Sequence, residues 1–379
     1  METIMLLTNG DMGGTAGDAT LILRRARAIY SEKQLFTKIF LLDQREQGKV
    51  NTGDYYYSIE KCPDKSAFRM ILSKNNPKYL VLYGDKIQMM TKPLRRFIRW
   101  KGLQTKIIVD IQGAVEEKKE YSTSFLRKYV VYPLSYLNFR NAVKNADGAF
   151  VVSDEIMEKC DRCLGKDKSK MKYYKVRCGT EKVFSAEDIS QFRNIFRRKK
   201  GIDNDTVVFC YSGYRAEWQK VDDIIEHFKK YDSNLNNCYF AFFCNTDLEF
   251  ENKLKNSFPK GNFCVELLSP EVYFQSLCGC DVGYILRDYN ETNRVAFPNK
   301  FSDYLTSGLV IALNNALPEP MRVISSHKDH FIDTDHLRID EAISIIQKRM
   351  NRYPQFLEEC IDICEKELLY SSQVSKTEL

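Results

Sequence analysis

The stretch from Tyr284 to Leu313, YILRDYNETNRVAFPNKFSDYLTSGLVIAL, constrains the fold of this chain more than any other. It reads as a buried strand, a polar loop with Asn and Pro, an amphipathic helix over 297–306, a stop at Gly308 and a second buried strand. In an open α/β sheet that order puts the loop and the first helical turn at the carboxyl end of a strand. Ligands bind there, and free backbone N–H groups suit a phosphate. Upstream, CYSGYRAEWQK sets Arg215 and Lys220 just beyond a strand over Thr206 to Tyr211, on the same rim. Two cations and a helix N-terminus make a site for a diphosphate.

Helix and strand patterns alternate through both halves of the chain, as in a doubly wound sheet. The first half shows strands at Thr3 to Thr8, Lys38 to Leu42, Tyr79 to Tyr83, Lys106 to Asp110 and Gly148 to Ser153, with a helix over Ala19 to Ser31. The second half repeats the scheme from Thr206 to Leu313. The length of 379 residues suits two domains, expected at 1–190 and 200–354 and joined through the charged stretch NIFRRKKGIDND at 194–205. A last helical stretch within 355–379 carries Phe356, Leu357, Cys360, Ile363, Cys364 and Leu368 roughly on one side. No run of 18 apolar residues exists, and no basic segment precedes the apolar N-terminal stretch, so neither a membrane span nor a signal peptide is expected. The 12 Cys are scattered, several within strand-like runs, which suits free thiols in a reducing, cytoplasmic setting.

Together these segments resemble the donor-binding half of glycosyltransferase family 4, retaining enzymes of GT-B architecture with two Rossmann-like domains facing across a cleft. The family carries an Arg and a Lys five residues apart after the first strand of its second domain, matched by Arg215 and Lys220. PNKFSDYLTSG matches a branch written P-x-K-x-x-E-Y-L-x-x-G, with Asp303 at the Glu that binds the nucleotide ribose. Eight residues earlier, where the family has another Glu, stands Val295; that acid is missing or displaced to Glu291 or Asp288. The resemblance implies donor contacts at Gly13, Gly14, Gly213, Asn293, Ala296, Phe297, Asn299, Lys300 and Asp303, and a C-terminal helix crossing back to the first domain. It also implies a nucleotide diphosphate sugar, a UDP-sugar first, as substrate. No cofactor or metal is then required, because Arg and Lys neutralise the diphosphate.

Two first-domain segments bear on the sugar. In NGDMGGTAGDA, Gly13, Gly14 and Gly17 follow a strand and precede a helix; the pattern departs from G-x-G-x-x-G, leaving a tight turn or a contact with donor or acceptor ahead of dinucleotide binding. VDIQGAVE looks like the family's strand-end D-x-H-G segment, with Asp110 and Gln112 facing the donor sugar and Gln112 in the His position. All four His, at 227, 327, 330 and 336, lie in the second half, so any first-domain base would be Asp110 or Glu116. Cys160 and Cys163 form C-x-x-C without a second pair at zinc-ribbon spacing, and His327 and His330 lack an obvious third ligand.

Charge is divided unevenly. Residues 1–180 hold 33 Lys and Arg against 20 Asp and Glu, and residues 181–379 hold 24 against 31. A first half at +13 and a second at −7 imply that the first meets something anionic. TKPLRRFIRWKGLQTK and FLRKYVVYPLSYLNFRNAVK interleave cations with aromatic and apolar groups, a pattern suited either to an anionic membrane surface or to an ordinary solvated face. The combined expectation is a hexosyltransferase of surface-polysaccharide synthesis, peripheral on the inner face of the cell membrane, with a glycan or lipid-linked acceptor and no nucleic acid partner. A nucleotide-sugar 2-epimerase and a noncatalytic assembly scaffold are the alternatives.

Overall fold

The computed structural model describes residues 2–10, 12, 17–42 and 53–379. The chain divides into two compact units, Met1–Glu181 with Tyr370–Leu379, and Lys182–Leu369. In the first, β1 (Thr3–Thr8), β2 (Phe36–Leu42), β3 (Tyr57–Cys62), β4 (Tyr79–Tyr83), β5 (Lys106–Ile111), β6 (Gly148–Val151) and β7 (Lys172–Lys175) form one sheet in the order β3-β2-β1-β4-β5-β6-β7. In the second, β8 (Val207–Ser212), β9 (Cys238–Phe243), β10 (Phe263–Val265), β11 (Val282–Ile285), β12 (Val310–Leu313) and β13 (Phe331–Asp333) are ordered β10-β9-β8-β11-β12-β13. The named strands pair in parallel throughout. Central strands such as TIMLLT and VVFCYS are buried along nearly their whole length, as helices on both faces of a parallel sheet require.

Both sheets reverse their winding once, between β1 and β4 and between β8 and β11. Each reversal opens a crevice at the strands' carboxyl ends. The helices that wind the sheets start on side-chain caps: Asp64 accepts from Ser66 and Ala67 N–H, and Ser185 and Asp188 form a reciprocal capping box. Gly283 in β11 allows one close approach. A Cβ there would lie 2.4 Å from the ring of Tyr304, so only glycine lets helix Asn299–Thr306 settle on the sheet.

Two expectations of organisation change. The stretch 194–205 is not a linker: helix Ala186–Lys200 belongs to the second unit, and its charged end hides buried Phe196 and Arg197. The C-terminal stretch is also divided. Helix Tyr353–Ile363 lies in the second unit, whereas Tyr370–Ser375 packs on helix Gly17–Lys33 in the first, with Lys33 Nζ donating to the carbonyls of Ser375 (3.0 Å) and Thr377 (2.8 Å). Among the described residues no helix is long and apolar enough to cross a membrane.

Candidate active site

The loops that leave β8 and β11 bring most of the second-unit site residues together. β8 ends at Ser212, and Gly213 follows with φ +115° while its N–H extends the ladder to Phe243 O (2.9 Å). A Cβ at Gly213 would sit 2.6 Å from Lys300 Cε. The glycine therefore opens the passage through which Lys300, on the first turn of helix Asn299–Thr306, crosses beneath the β8 loop. Lys300 Nζ donates to Gln219 Oε1 at 2.6 Å and lies 4.3 Å from the centre of the Tyr211 ring. Burial, reinforced by nearby Arg287, pushes the Lys300 ammonium well below the ordinary lysine value. Arg287, buried just beyond β11, donates its backbone N–H to Asn314 Oδ1 (3.1 Å) and its Nη1 to Leu286 O (2.8 Å).

Arg215 and Lys220 line one pocket of about 310 Å³ with Ala216, Phe250 and the acids Glu217, Asp222 and Asp223. The Arg215 guanidinium lies 4.4 Å over the Phe250 ring and pairs with Asp247, the cap of helix Leu248–Ser257; its Nε is buried without a partner. Lys220 holds a left-handed backbone (φ 54°, ψ 38°) at the start of helix Val221–Asn234. Its ammonium contacts Asp223 (2.8 Å) and Asp288 (3.2 Å), and the hydrogen bond to Asp223 holds its pKa above the ordinary value. Both cations are thus engaged by carboxylates within the unit. A ligand phosphate would have to displace these partners or share the donors with them.

Asp303 sits on a second chain of contacts. Tyr273 OH donates to Asp303 Oδ2 (3.1 Å) and lies 3.2 Å from Ser212 Oγ, and Tyr304 OH accepts from Ser212 N–H (2.9 Å). That chain fixes Asp303 against the end of β8. Asn293 is turned inward: it is buried, its N–H donates to Asn290 Oδ1 (2.9 Å) and its Nδ2 to Asp288 O (2.9 Å), so it shapes the loop. Ala296 N–H donates to Asn293 O (3.0 Å), and Phe297 packs edge-on against Phe301 at 5.3 Å. Asn299 is exposed on the opening turn of the helix. Val295 is fully buried, Glu291 pairs with Arg294 (2.7 Å), and Asp288 reaches Lys220 (3.2 Å), which itself lines the pocket.

In the first unit, Asp110, buried near the carboxyl end of β5, forms a bidentate ion pair with Arg25, whose guanidinium lies 4.1 Å over Phe150. Gln112 donates to Asp110 Oδ2 at 3.3 Å, and Gln88 donates to the Asp110 carbonyl at 3.0 Å. Glu116 is likewise paired, with buried Lys159. Gly13 and Gly14 lie outside the described residues. Arg287, Gln219 and Tyr273 join the site without having been expected there. For Arg287 the signal existed, since it stands just beyond the end of β11 at Ile285, as Arg215 stands just beyond the end of β8 at Ser212; Tyr273 is brought in by packing alone.

Two doubly wound parallel-sheet domains in one chain define the GT-B fold. Similar solved structures include Anabaena HepE in complex with UDP and glucose, with TM-score 0.66 at 9% identity over 99% of this chain and 97% of that one. A glycosyltransferase from Rickettsia africae gives TM-score 0.65 at 9% identity over 99% and 96%. WaaG, a glycosyltransferase involved in lipopolysaccharide biosynthesis, gives 0.64 at 13% identity over 98% and 97%. No family model and no curated protein sequence matches the chain.

Proposed function

We propose that the protein is a retaining glycosyltransferase that moves a hexosyl unit from a nucleoside diphosphate sugar, UDP-linked, to a lipid-linked glycan acceptor in surface-polysaccharide synthesis. The observation that carries this reading is the gathering of Arg215, Lys220, Arg287 and Lys300 at the carboxyl ends of β8 and β11. HepE, of similar fold, was solved with UDP and glucose and with UDP-glucose. As the sugar leaves, negative charge grows on the β-phosphate. Cations fixed beside it then bind the transition state more tightly than the ground state, which lowers the barrier. Asp110 and Glu116 are each held in a buried ion pair, which supports a mechanism in which the acceptor hydroxyl passes its proton to the departing phosphate.

Incubation with a panel of nucleotide sugars tests the proposal. Diphosphate release that requires an acceptor supports transfer, epimer formation would assign a 2-epimerase, and silence from folded protein across the panel leaves a noncatalytic scaffold. Asp303 is assigned the ribose hydroxyls. Asp303→Asn should weaken nucleotide binding while Asp303→Glu is tolerated, and equal affinity in wild type and Asp303→Asn removes Asp303 from that role.

The acceptor side of the reading rests on the segment from Phe125 to Leu137. Phe125, Leu126, Tyr129, Val130, Leu134 and Leu137 are all exposed there, flanked by Arg127, Lys128 and Arg140. We assign this face to an anionic bilayer surface, whose phosphates meet the cations while the apolar side chains enter the interface. The other basic stretch suits this role less. In helix Thr91–Trp100, Leu94 and Ile98 face the core and Arg95 is tied to Asp147 (2.7 Å), leaving Trp100 as the exposed aromatic group.

A further inference from the structure

The second unit holds a cationic centre at the opposite end of its sheet. Asp281, fully buried at the amino end of β11, receives four donors: Arg193 Nη1 (2.8 Å) and Arg349 Nη1 on Oδ1, and Arg197 Nη2 (2.6 Å) and Val208 N–H (2.7 Å) on Oδ2. One carboxylate cannot neutralise three guanidinium groups, so the cluster keeps two positive charges. Arg197 also places its Nε and Nη1 N–H groups on the carbonyls of Gly279, Asp203 and Thr206. Arg349 is engaged to the same extent, with Nε and Nη2 on the carbonyls of Gly308 and Cys280.

Arg193 differs. Beyond Asp281 its only hydrogen bond among the described residues is from Nη1 to Cys280 O (3.3 Å), so Nε and Nη2 have none. It lines, with Arg349 and Tyr353, a pocket of about 330 Å³ that no acidic side chain enters. Tyr353 stacks beneath both guanidiniums, at 5.1 Å and 4.9 Å, and its hydroxyl is buried without a partner. Asn194 and Asn204 complete the polar wall. A purely structural cluster would place as much negative as positive charge out of water, because an uncompensated buried cation is costly. Here the spare charge, the spare donors and the empty volume coincide.

We propose that this pocket is an oxyanion site that takes a phosphate group through the free edge of Arg193, the charge of Arg349 and the amides of Asn194 and Asn204. A guanidinium fork offers two parallel N–H donors to such an anion. The site is separate from the one at Gly213 and Lys300, since it lies at the amino ends of β8 and β11, roughly 15–20 Å away along a six-residue strand. The phosphate group is the recognised element, whether it arrives as inorganic phosphate or as a phosphate monoester of a small metabolite.

Thermal melting of the full chain in inorganic phosphate, in a sugar monophosphate and in sodium chloride of equal ionic strength tests this. Phosphate should raise the melting temperature of the wild type and of Arg215→Ala, and should lose that effect in Arg193→Gln. Asn204→Asp, an exposed change that leaves the Asp281 cluster untouched, should abolish the shift even if Arg193→Gln folds poorly. Equal shifts from both phosphates assign the phosphate group alone, and a larger shift from the monoester assigns a phosphorylated metabolite. The proposal is overturned if phosphate acts no differently from chloride, if its shift survives Asn204→Asp, or if the shift is lost only in Arg215→Ala.

Discussion

Lys300 links the chemistry of the site to pH. Its ammonium is held well below the ordinary lysine value by burial and by Arg287, and an incoming diphosphate would offset both influences. The bound form then holds the proton more tightly than the free form. Nucleotide binding should take up a proton as pH rises through the lowered free-state value, and affinity should fall across the window up to the bound-state value. Calorimetry of UDP binding in two buffers of different ionisation enthalpy measures that uptake, and Lys300→Met should remove it; identical heats in wild type would show that Lys300 stays clear of the phosphate. Arg215 and Lys220 enter the same event already paired with Asp247, Asp223 and Asp288. Replacing either by Ala should cost roughly 1.5–3 kcal/mol of diphosphate binding while the fold is retained. Unchanged nucleotide affinity in both variants would remove them from the site. The place of these two cations beyond β8 was legible in the sequence, because each follows that strand at short range. Asp303's anchor Tyr273 was not, because its position depends on a helix packed 30 residues away in the chain.

At the scale of elements, local pattern identified the central strands and missed those whose partners decide them. β3, YSIEKC, carries exposed Glu60 and Lys61 at the sheet edge and gives no apolar run to read. The charged run at 194–205 looked like a tether because Arg197 is polar in sequence; its partner Asp281 stands 84 positions on and turns the residue into core. The segment Phe125–Leu137 was legible as basic and aromatic, but only the fold shows that its apolar side is left uncovered. Binding to anionic liposomes should therefore persist in part at high salt, since apolar insertion is not screened whereas each basic contact of about 1 kcal/mol is. Replacing Phe125, Tyr129 and Leu134 by Ser should abolish the salt-resistant fraction in cosedimentation. Binding that vanishes in salt for the wild type would reduce the contact to charge alone.

At the scale of the whole molecule, the repeated winding was readable from the alternation of helix and strand, and both sheets follow it. The division of the chain was less readable, because the first unit is built from two separated segments. Tyr370 N–H donates to Thr180 O (3.0 Å), Gln373 Oε1 accepts from Arg177 N–H (2.7 Å), and Val374 is completely buried. Ending the chain at Leu369 should destabilise the first unit by several kcal/mol, through lost burial of Tyr370 and Val374 and the unmade hydrogen bonds. The second unit should melt as before, so calorimetry should show one transition lowered and one unmoved; two unmoved transitions would mean the segment is dispensable.

That closing segment also sets a timetable. During synthesis the second unit is made as one continuous stretch and can fold as soon as it emerges, whereas the first, though begun earlier, lacks helix Tyr370–Ser375 until the second unit has been made. At about 5–20 residues per second the interval between Glu181 and Tyr370 is roughly 10–40 s. For that time the groove along helix Gly17–Lys33 stands open on the ribosome, so the half of the protein that is translated first is the half that is finished last.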